Sequence, residues 1–183
     1  MVEPAGWSHV TKVDPDNGMS EEKAYDVAES GTDAVVVGGT QGVTRDKVLS
    51  VLSSIEADVP VVVEPSNPAS AVGAGDGLLV PTVLNADAVD WVVGIHKEWA
   101  RANEVDWSNV VGEGYIVMNP ESAVGRLTGA DTSLEPEEAA AYAEVADGLF
   151  DLPVVYVEYS GTFGDMEVVG AVNDAVEDTT VFY

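Results

Sequence analysis

The sequence contains no cysteine, which excludes disulfide bonds and zinc sites built from thiolates. Cations are also scarce: 7 Lys and Arg residues stand against 33 Asp and Glu residues, and the formal net charge is -26. Such a chain repels nucleic acid phosphates and has no basic stripe to bind them, so we predict no nucleic acid partner. Apolar runs such as residues 59–63 are far shorter than the ~20 residues of a membrane-spanning helix. No signal peptide is visible, so we predict a cytoplasmic protein without a transmembrane anchor.

Hydrophobic residues make up 46% of the chain, enough for the core of one domain over residues 1–183. The acidic residues are spread along the chain rather than gathered in a tail, and the aliphatic content argues against disorder. Their mutual repulsion would destabilise the fold at low salt, but the Debye length falls to about 3 Å in molar salt. We interpret the charge as the halophilic adaptation of a globular enzyme. An acidic interaction module is the weaker alternative.

Seven segments rich in Val and Ile predict strands that are buried on both faces, because they alternate little between apolar and polar residues. These strands are predicted at 9–14, 34–38, 59–64, 78–84, 115–119, 154–159 and 180–183. Helices are predicted at 21–29, 45–55, 87–103, 136–149 and 165–176, whereas residues 65–77 predict a loop in place of the third helix. The alternation predicts an α/β fold with a parallel sheet, one strand short of an eight-stranded barrel.

Polar side chains follow six consecutive predicted strands at their carboxyl ends, where parallel α/β folds collect their active sites. They are Asp14, Thr40, Glu64, Asn85, Asn119, and Glu158 with Ser160. One such ending is an ordinary turn, but six in order predict a functional site. The alternation of side chains also places Tyr156, Glu158 and Ser160 on one face of their strand.

Lys12, one of four lysines, lies in an apolar strand, where a cation needs an anionic partner. The sequence leaves two candidates for this partner: the phosphate of a ligand, and the carboxylate of Asp14 in an ion pair. Asp14 and the Thr40 hydroxyl are hard oxygen donors of the kind that magnesium uses together with substrate phosphates. The glycines of the segment 38–42, GGTQG, would let backbone amides approach a phosphate. A simple turn is the alternative for Asp14, and a glycine turn after a strand is a weak signal.

Several ordered segments resemble the geranylgeranylglyceryl phosphate synthase family. Residues 7–16, WSHVTKVDPD, are similar to its opening strand, and residues 31–40, GTDAVVVGGT, to its second. Residues 113–124, EGYIVMNPESAV, resemble its fifth strand, and residues 156–161, YVEYSG, its sixth. The segments EPSNP at 64–68 and PTVLN at 81–85 fall in register between them. The resemblance implies a TIM (β/α)8-type barrel in which a loop replaces the third helix.

The resemblance also implies an activity: transfer of the prenyl chain of geranylgeranyl diphosphate to sn-glycerol 1-phosphate with magnesium (Mg²⁺), early in archaeal ether-lipid biosynthesis. Asp14 and Thr40 would hold the metal, and Lys12 would contact the glycerol phosphate. Trp99 would bound the prenyl tunnel. Glu158, with Tyr156 beside it, would act as the catalytic pair. The residues expected around the glycerol moiety are Tyr156, Val157, Glu158, Tyr159, Ser160 and Gly161.

The sequence departs from the family pattern at its C-terminal end. The family continues with an eighth strand and a Gly-Asn pair, whereas this sequence stops at Tyr183, at the end of the seventh predicted strand, so we expect that the sequence is incomplete.

The alternatives are a heptaprenylglyceryl phosphate synthase-like enzyme, another phosphate-binding TIM barrel such as an aldolase, and a non-catalytic phosphate-binding homologue. The family's oligomers predict a homodimer at least. Peripheral membrane contact is open, because the prenyl substrate and product are lipids.

The charge predicts a melting temperature that rises with salt. Between about 0.2 M and about 2 M KCl we expect a gain of roughly 10 °C, or about 3–5 kcal/mol at this chain length. Thermal denaturation followed by circular dichroism measures it, with sucrose as the uncharged control. A melting temperature that stays constant or falls with KCl would contradict the halophilic interpretation.

Overall fold

Seven strands form a sheet in the order β1-β2-β3-β4-β5-β6-β7 in the computed structural model, which describes residues 2–56 and 58–183. The strands are β1 Val10–Val13, β2 Ala34–Gly38, β3 Val61–Glu64, β4 Gly77–Val83, β5 Val110–Val117, β6 Val154–Glu158 and β7 Thr180–Phe182. Neighbouring strands pair in parallel, for example β1 with β2 and β6 with β7. All seven predicted strands are present, with ends shifted by one or two residues except in β5, which begins five residues before the predicted start at Tyr115.

Six α-helices connect these strands: α1 Glu21–Ala28, α2 Arg45–Ser54, α3 Gly94–Ala102, α4 Ala123–Thr128, α5 Pro136–Gly148 and α6 Met166–Asp174. Side-chain oxygens of Ser20 and Thr44 accept backbone N–H groups at the starts of α1 and α2, as expected of N-caps. Residues 65–76 form no helix, which confirms the predicted loop between β3 and β4. Short 3-10 helices lie at Pro15–Asn17, Val89–Trp91 and Trp107–Asn109.

The helix predicted at 87–103 is wrong in its extent. The structure has a 3-10 helix at Val89–Trp91, which lacks a side-chain cap at Ala88, and then α3 from Gly94. Gly94 is the first residue of α3, and a methyl group there would overlap the Asp90 carboxylate. Hydrophobic periodicity alone does not reveal this break.

Helix α4 was not predicted, because its six residues are too few for a periodic pattern. Two local signals define it instead. The Ser122 hydroxyl accepts the Gly125 N–H, and Gly129 ends the helix with φ +60, a conformation that glycine adopts easily.

The described residues group into two compact units. The first contains the chain up to Val80 together with His96–Val111. Its core joins β1, β2 and β3 to α1 and α2 through buried valines such as Val35, Val37 and Val48. The carboxylate of Asp33 accepts the N–H groups of Ser8 and His9 at 2.6 and 2.9 Å, and these backbone bonds lower the pKa of Asp33.

The second unit contains Pro81–Ile95 and Gly112–Tyr183. Its largest core cluster packs α5 and α6 against β5 and β6. Three alanines of α5, Ala139, Ala143 and Ala146, are fully buried there and allow a close approach of the helix. The single domain expected over residues 1–183 stays a prediction.

None of the helices formed by residues 2–56 and 58–183 has both the length and the apolar character of a membrane span.

The close packing of α5 predicts that a larger side chain at Ala143 destabilises the protein. We expect Ala143→Leu to lower the free energy of unfolding by about 1–3 kcal/mol, because three added carbons meet a filled core. Ala141, an exposed residue of the same helix, provides the control, since Ala141→Leu should change the value by less than about 0.5 kcal/mol. Urea unfolding in molar KCl measures both variants. Equal effects at the two positions would show that α5 is not tightly packed.

Candidate active site

Lys12 of β1 meets a carboxylate of β3. Its Nζ donates to Glu64 Oε1 at 2.7 Å, and the Glu64 side chain is only 10% exposed. Gly38 lies opposite Glu64 in the β2–β3 register, and a methyl group there would come within 2.8 Å of Glu64 Cβ. The anion predicted at Lys12 is therefore supplied by Glu64, which the sequence marked only as a strand end. The Lys12 side chain remains 37% exposed, which leaves an ammonium that can reach a ligand.

Asp14 lies against Gly39, the residue that precedes Thr40. The Asp14 carboxylate lies against Gly39 so closely that a methyl group at that position would overlap it, and Thr40 is the next residue. Asp14 Oδ1 accepts the Asp16 N–H at 2.9 Å, while Asp14 and Thr40 are both partly exposed. The carboxyl ends of β1 and β2 therefore present two hard oxygen donors to solvent or a ligand.

Lys47 ties the two loops that carry these donors. Its Nζ donates to Asp16 Oδ1 in the β1–α1 loop and, at 2.8 Å, to the Gly42 carbonyl in the β2–α2 loop. Gly42 has φ +67, and a side chain there would overlap the Asp16 carboxylate. Sequence reasoning missed Lys47, although it is one of only four lysines in an acidic chain.

The donors suit magnesium better than a metal that requires several protein ligands. In the part of the chain that the structure describes, no group of three or more His, Asp or Glu side chains could hold a metal ion. Magnesium keeps several waters and binds through one or two protein oxygens together with substrate phosphates. One carboxylate and one hydroxyl beside Gly39 fit that requirement.

Trp99 of α3 lines a cavity in the first unit. The cavity measures 270 Å³, and its apolar lining includes Leu78 and Val105 beside Trp99. Trp99 is 6% exposed, and the exposed Trp107 packs against it edge to face, with ring centroids 5.6 Å apart. The structure therefore places the predicted tunnel residue at a cavity wall.

Tyr156 and Glu158 lie on one face of β6 in the second unit. Tyr156 is opposite Tyr115 of β5, and the two rings meet edge to face with centroids 5.0 Å apart. Glu158 is 2% exposed, and its Oε1 accepts the Ser160 N–H at 3.0 Å. Its Oε2 is buried and has no hydrogen-bond partner within the described residues. Because a buried carboxylate oxygen without a donor is costly, this atom is a structural sign of a ligand site.

The residues around Glu158 divide between the two faces of the strand. Val157 is fully buried in the cluster with α5 and α6, so a ligand could meet it only through its backbone. Tyr159 packs partly against the same cluster, and burial raises the pKa of its phenol. Gly161 has φ +89 and continues the turn after Ser160. These positions confirm the predicted alternation but do not test the predicted roles.

Of the other strand-end residues, Asn85 has a structural role. Its Nδ2 donates to the carbonyls of Val117 and Asp131, both at 2.8 Å, and its Oδ1 accepts the Val117 N–H. It therefore pins the end of β4 to β5. Asn119 reaches the β6–α6 loop, where its Nδ2 donates to the Ser160 carbonyl at 2.6 Å.

A model of the PcrB family matches residues 3–183 of the chain. The geranylgeranylglyceryl phosphate synthase of Methanoculleus marisnigri is 49% identical over 181 residues, covering 97% of this chain and 79% of that protein. The heptaprenylglyceryl phosphate synthase of Bacillus cereus is 42% identical over 186 residues, covering 100% of this chain and 81% of that protein.

Among solved structures, (S)-3-O-geranylgeranylglyceryl phosphate synthase from Thermoplasma acidophilum, in complex with its substrate sn-glycerol-1-phosphate, has a similar fold. The TM-score is 0.80 at 25% identity, and the match covers 97% of this chain and 75% of that chain. This likeness confirms the predicted fold class, α/β of the TIM-barrel type.

Proposed function

The chain belongs to the PcrB family, and on that premise we propose that it is a geranylgeranylglyceryl phosphate synthase. In this reaction a glycerol hydroxyl of sn-glycerol 1-phosphate attacks the first carbon of geranylgeranyl diphosphate. A carbon–oxygen bond forms, the bond to the diphosphate breaks, and the hydroxyl proton is released. The observation that carries the proposal is Glu158 Oε2, a buried carboxylate oxygen that no group in the described residues satisfies.

Glu158 is the proposed acceptor for the attacking hydroxyl. Its Oε1 is already occupied by the Ser160 N–H, so the carboxylate has a fixed orientation and Oε2 remains for the substrate. A hydroxyl that donates to Oε2 would be oriented for attack and could transfer its proton to that atom. Tyr156, on the same face of β6, would border the glycerol moiety together with the backbone of 157–161.

Lys12 is the proposed contact for the phosphate of glycerol phosphate. The carboxylate of Glu64 keeps the ammonium in place at 2.7 Å, and the 37% exposure of the Lys12 side chain leaves it accessible.

Asp14 and Thr40 are the proposed magnesium donors, supported by the cradle that Gly39 provides for the Asp14 carboxylate. When bound, magnesium would neutralise the charge of the diphosphate leaving group. The chain's own contribution is to hold the two oxygens in place. Lys47 restrains the loops on either side of them.

Trp99 is the proposed limit of the prenyl tunnel. The bulky side chain forms part of the wall of the 270 Å³ cavity, and the exposed Trp107 packs against it. A heptaprenyl donor is the second candidate, because the Bacillus cereus relative carries that name. Halophilic adaptation, a cytoplasmic location and a homodimer stay predictions, of which the net charge of -26 supports the first.

An assay of prenyl transfer tests the function. The protein is incubated with sn-glycerol 1-phosphate, magnesium and either geranylgeranyl or heptaprenyl diphosphate in molar KCl, and products are identified by mass. We expect product from geranylgeranyl diphosphate. A preference for the longer donor would support the second candidate. If the folded protein binds glycerol phosphate but forms no product, the non-catalytic alternative replaces the proposal.

Glu158→Gln should abolish most of the activity, because the amide cannot accept a proton as a carboxylate does. We expect turnover to fall by roughly 10²- to 10⁴-fold, the usual contribution of a positioned general base. Glu144→Gln, at an exposed site on α5, removes the same charge and should leave turnover unchanged. Near-normal turnover of Glu158→Gln would remove Glu158 from any essential role in proton transfer.

Gly39→Ala should weaken magnesium binding, because the added methyl group would push the Asp14 carboxylate aside. We expect the magnesium concentration for half-maximal activity to rise roughly 10-fold or more, an effect of over about 1.4 kcal/mol. Calorimetric titration of magnesium in the presence of inorganic diphosphate gives a readout that does not need turnover. Gly148→Ala, where a methyl group meets nothing within 4 Å, is the control. Unchanged binding in Gly39→Ala would show that metal binding does not depend on the position of the Asp14 carboxylate against Gly39.

A further inference from the structure

We propose that Asn119 is a positioning residue: its side chain holds the Ser160 carbonyl, and the N–H of the same residue holds the carboxylate of Glu158 in its working orientation. The inference rests on the proposed function of Glu158 and adds a residue to it. Asn119 follows β5 and is one of the polar residues at the carboxyl ends of six strands.

The orientation of the Asn119 amide is fixed at both ends. Its Oδ1 accepts the Glu121 N–H at 2.9 Å, and its Nδ2 donates to the Ser160 carbonyl at 2.6 Å. The reverse orientation would place the side-chain NH₂ against the Glu121 N–H and two oxygens against each other at Ser160. These two hydrogen bonds therefore require an amide side chain at position 119, with Oδ1 as the acceptor and Nδ2 as the donor.

Ser160 links this amide to Glu158. The Ser160 carbonyl accepts from Asn119, and the Ser160 N–H donates to Glu158 Oε1 at 3.0 Å. The following residue, Gly161, has φ +89, which lets the chain turn immediately after the Ser160 carbonyl. Both polar groups of one residue are thus used to connect the end of β5 to the carboxylate on β6.

The backbone keeps these two strand ends in register. Val117 pairs with Glu158, and the Met118 N–H donates to the Glu158 carbonyl at 2.9 Å. The position of the Glu158 main chain is therefore independent of Asn119, whereas the orientation of its side chain depends on the Ser160 N–H. Loss of the Asn119 donor should release the loop and the carboxylate without separating the strands.

Asn119→Asp isolates the donor, because aspartate keeps the oxygen that accepts from Glu121 but places a second oxygen against the Ser160 carbonyl. We expect kcat/KM for sn-glycerol 1-phosphate to fall roughly 10- to 100-fold, as misplacement of a reacting group does. The KM for geranylgeranyl diphosphate should stay within about 2-fold, since the variant touches only the glycerol side of the reaction. Asn173→Asp, at an exposed position on α6, adds the same charge and should have no effect.

The combination with Glu158→Gln shows whether Asn119 acts through Glu158. If it does, Asn119→Asp/Glu158→Gln should be no slower than Glu158→Gln alone. Full additivity of the two losses, or normal kinetics of Asn119→Asp, would overturn the proposal.

Hydrogen exchange separates this inference from the proposed function. We expect the Ser160 amide to exchange at least several-fold faster in Asn119→Asp than in the wild type and in Asn173→Asp. If the wild type shows no prenyl transfer, the proposed function fails, but the exchange rate still decides whether Asn119 holds the loop. Unchanged exchange at Ser160 in an otherwise active enzyme would overturn the positioning role alone.

Discussion

Strands such as β2, whose five residues are all buried, can hold a polar group only where a partner meets it or where the strand ends. This constraint orders the rest of the structure. The carboxylates of Glu64 and Glu158 are the last residues of β3 and β6, and Asp14 follows β1 directly. Each of these carboxylates meets a specific donor: the Lys12 ammonium, the Ser160 N–H or the Asp16 N–H. The reactive groups are therefore gathered at strand ends because the strands themselves exclude them.

Scarcity of cations shapes how the acids are satisfied. With 7 basic residues for 33 acidic ones, most carboxylates cannot form ion pairs, and several accept backbone N–H groups instead. Asp33 does so between β1 and β2, and its pKa is lowered as a result. Asp147 accepts the Thr179 hydroxyl and the Glu177 N–H ahead of β7, with the same effect on its pKa. The few lysines are correspondingly informative, since Lys12 and Lys47 both bind carboxylates beside the proposed donors.

The candidate site also shows why a strand-end residue can serve structure or function. Asn85 and Asn119 look alike in the sequence, each following a strand of apolar residues. Two side-chain hydrogen bonds of Asn85 to Val117 hold the end of β4 to β5, and a third reaches the Asp131 carbonyl. Asn119 instead reaches a loop whose N–H orients Glu158, and the remaining oxygen of Glu158 is left for a ligand. What separates the two asparagines is the partner that each one meets across the sheet.

The sequence by itself determined the strands, the loop between β3 and β4, and the residues at the strand ends, because burial on both faces leaves an apolar pattern that local reading detects. It also carried the family resemblance, which the comparisons bear out. It did not determine that Lys12 meets Glu64, 52 positions away, that α3 begins only at Gly94, or that Lys47 bridges two loops. Tertiary structure decided these points, because they depend on which strands become neighbours and on which side chains the folded chain brings close to its backbone. The unpartnered oxygen of Glu158 belongs to the same class, since burial and hydrogen bonding exist only once the chain is folded.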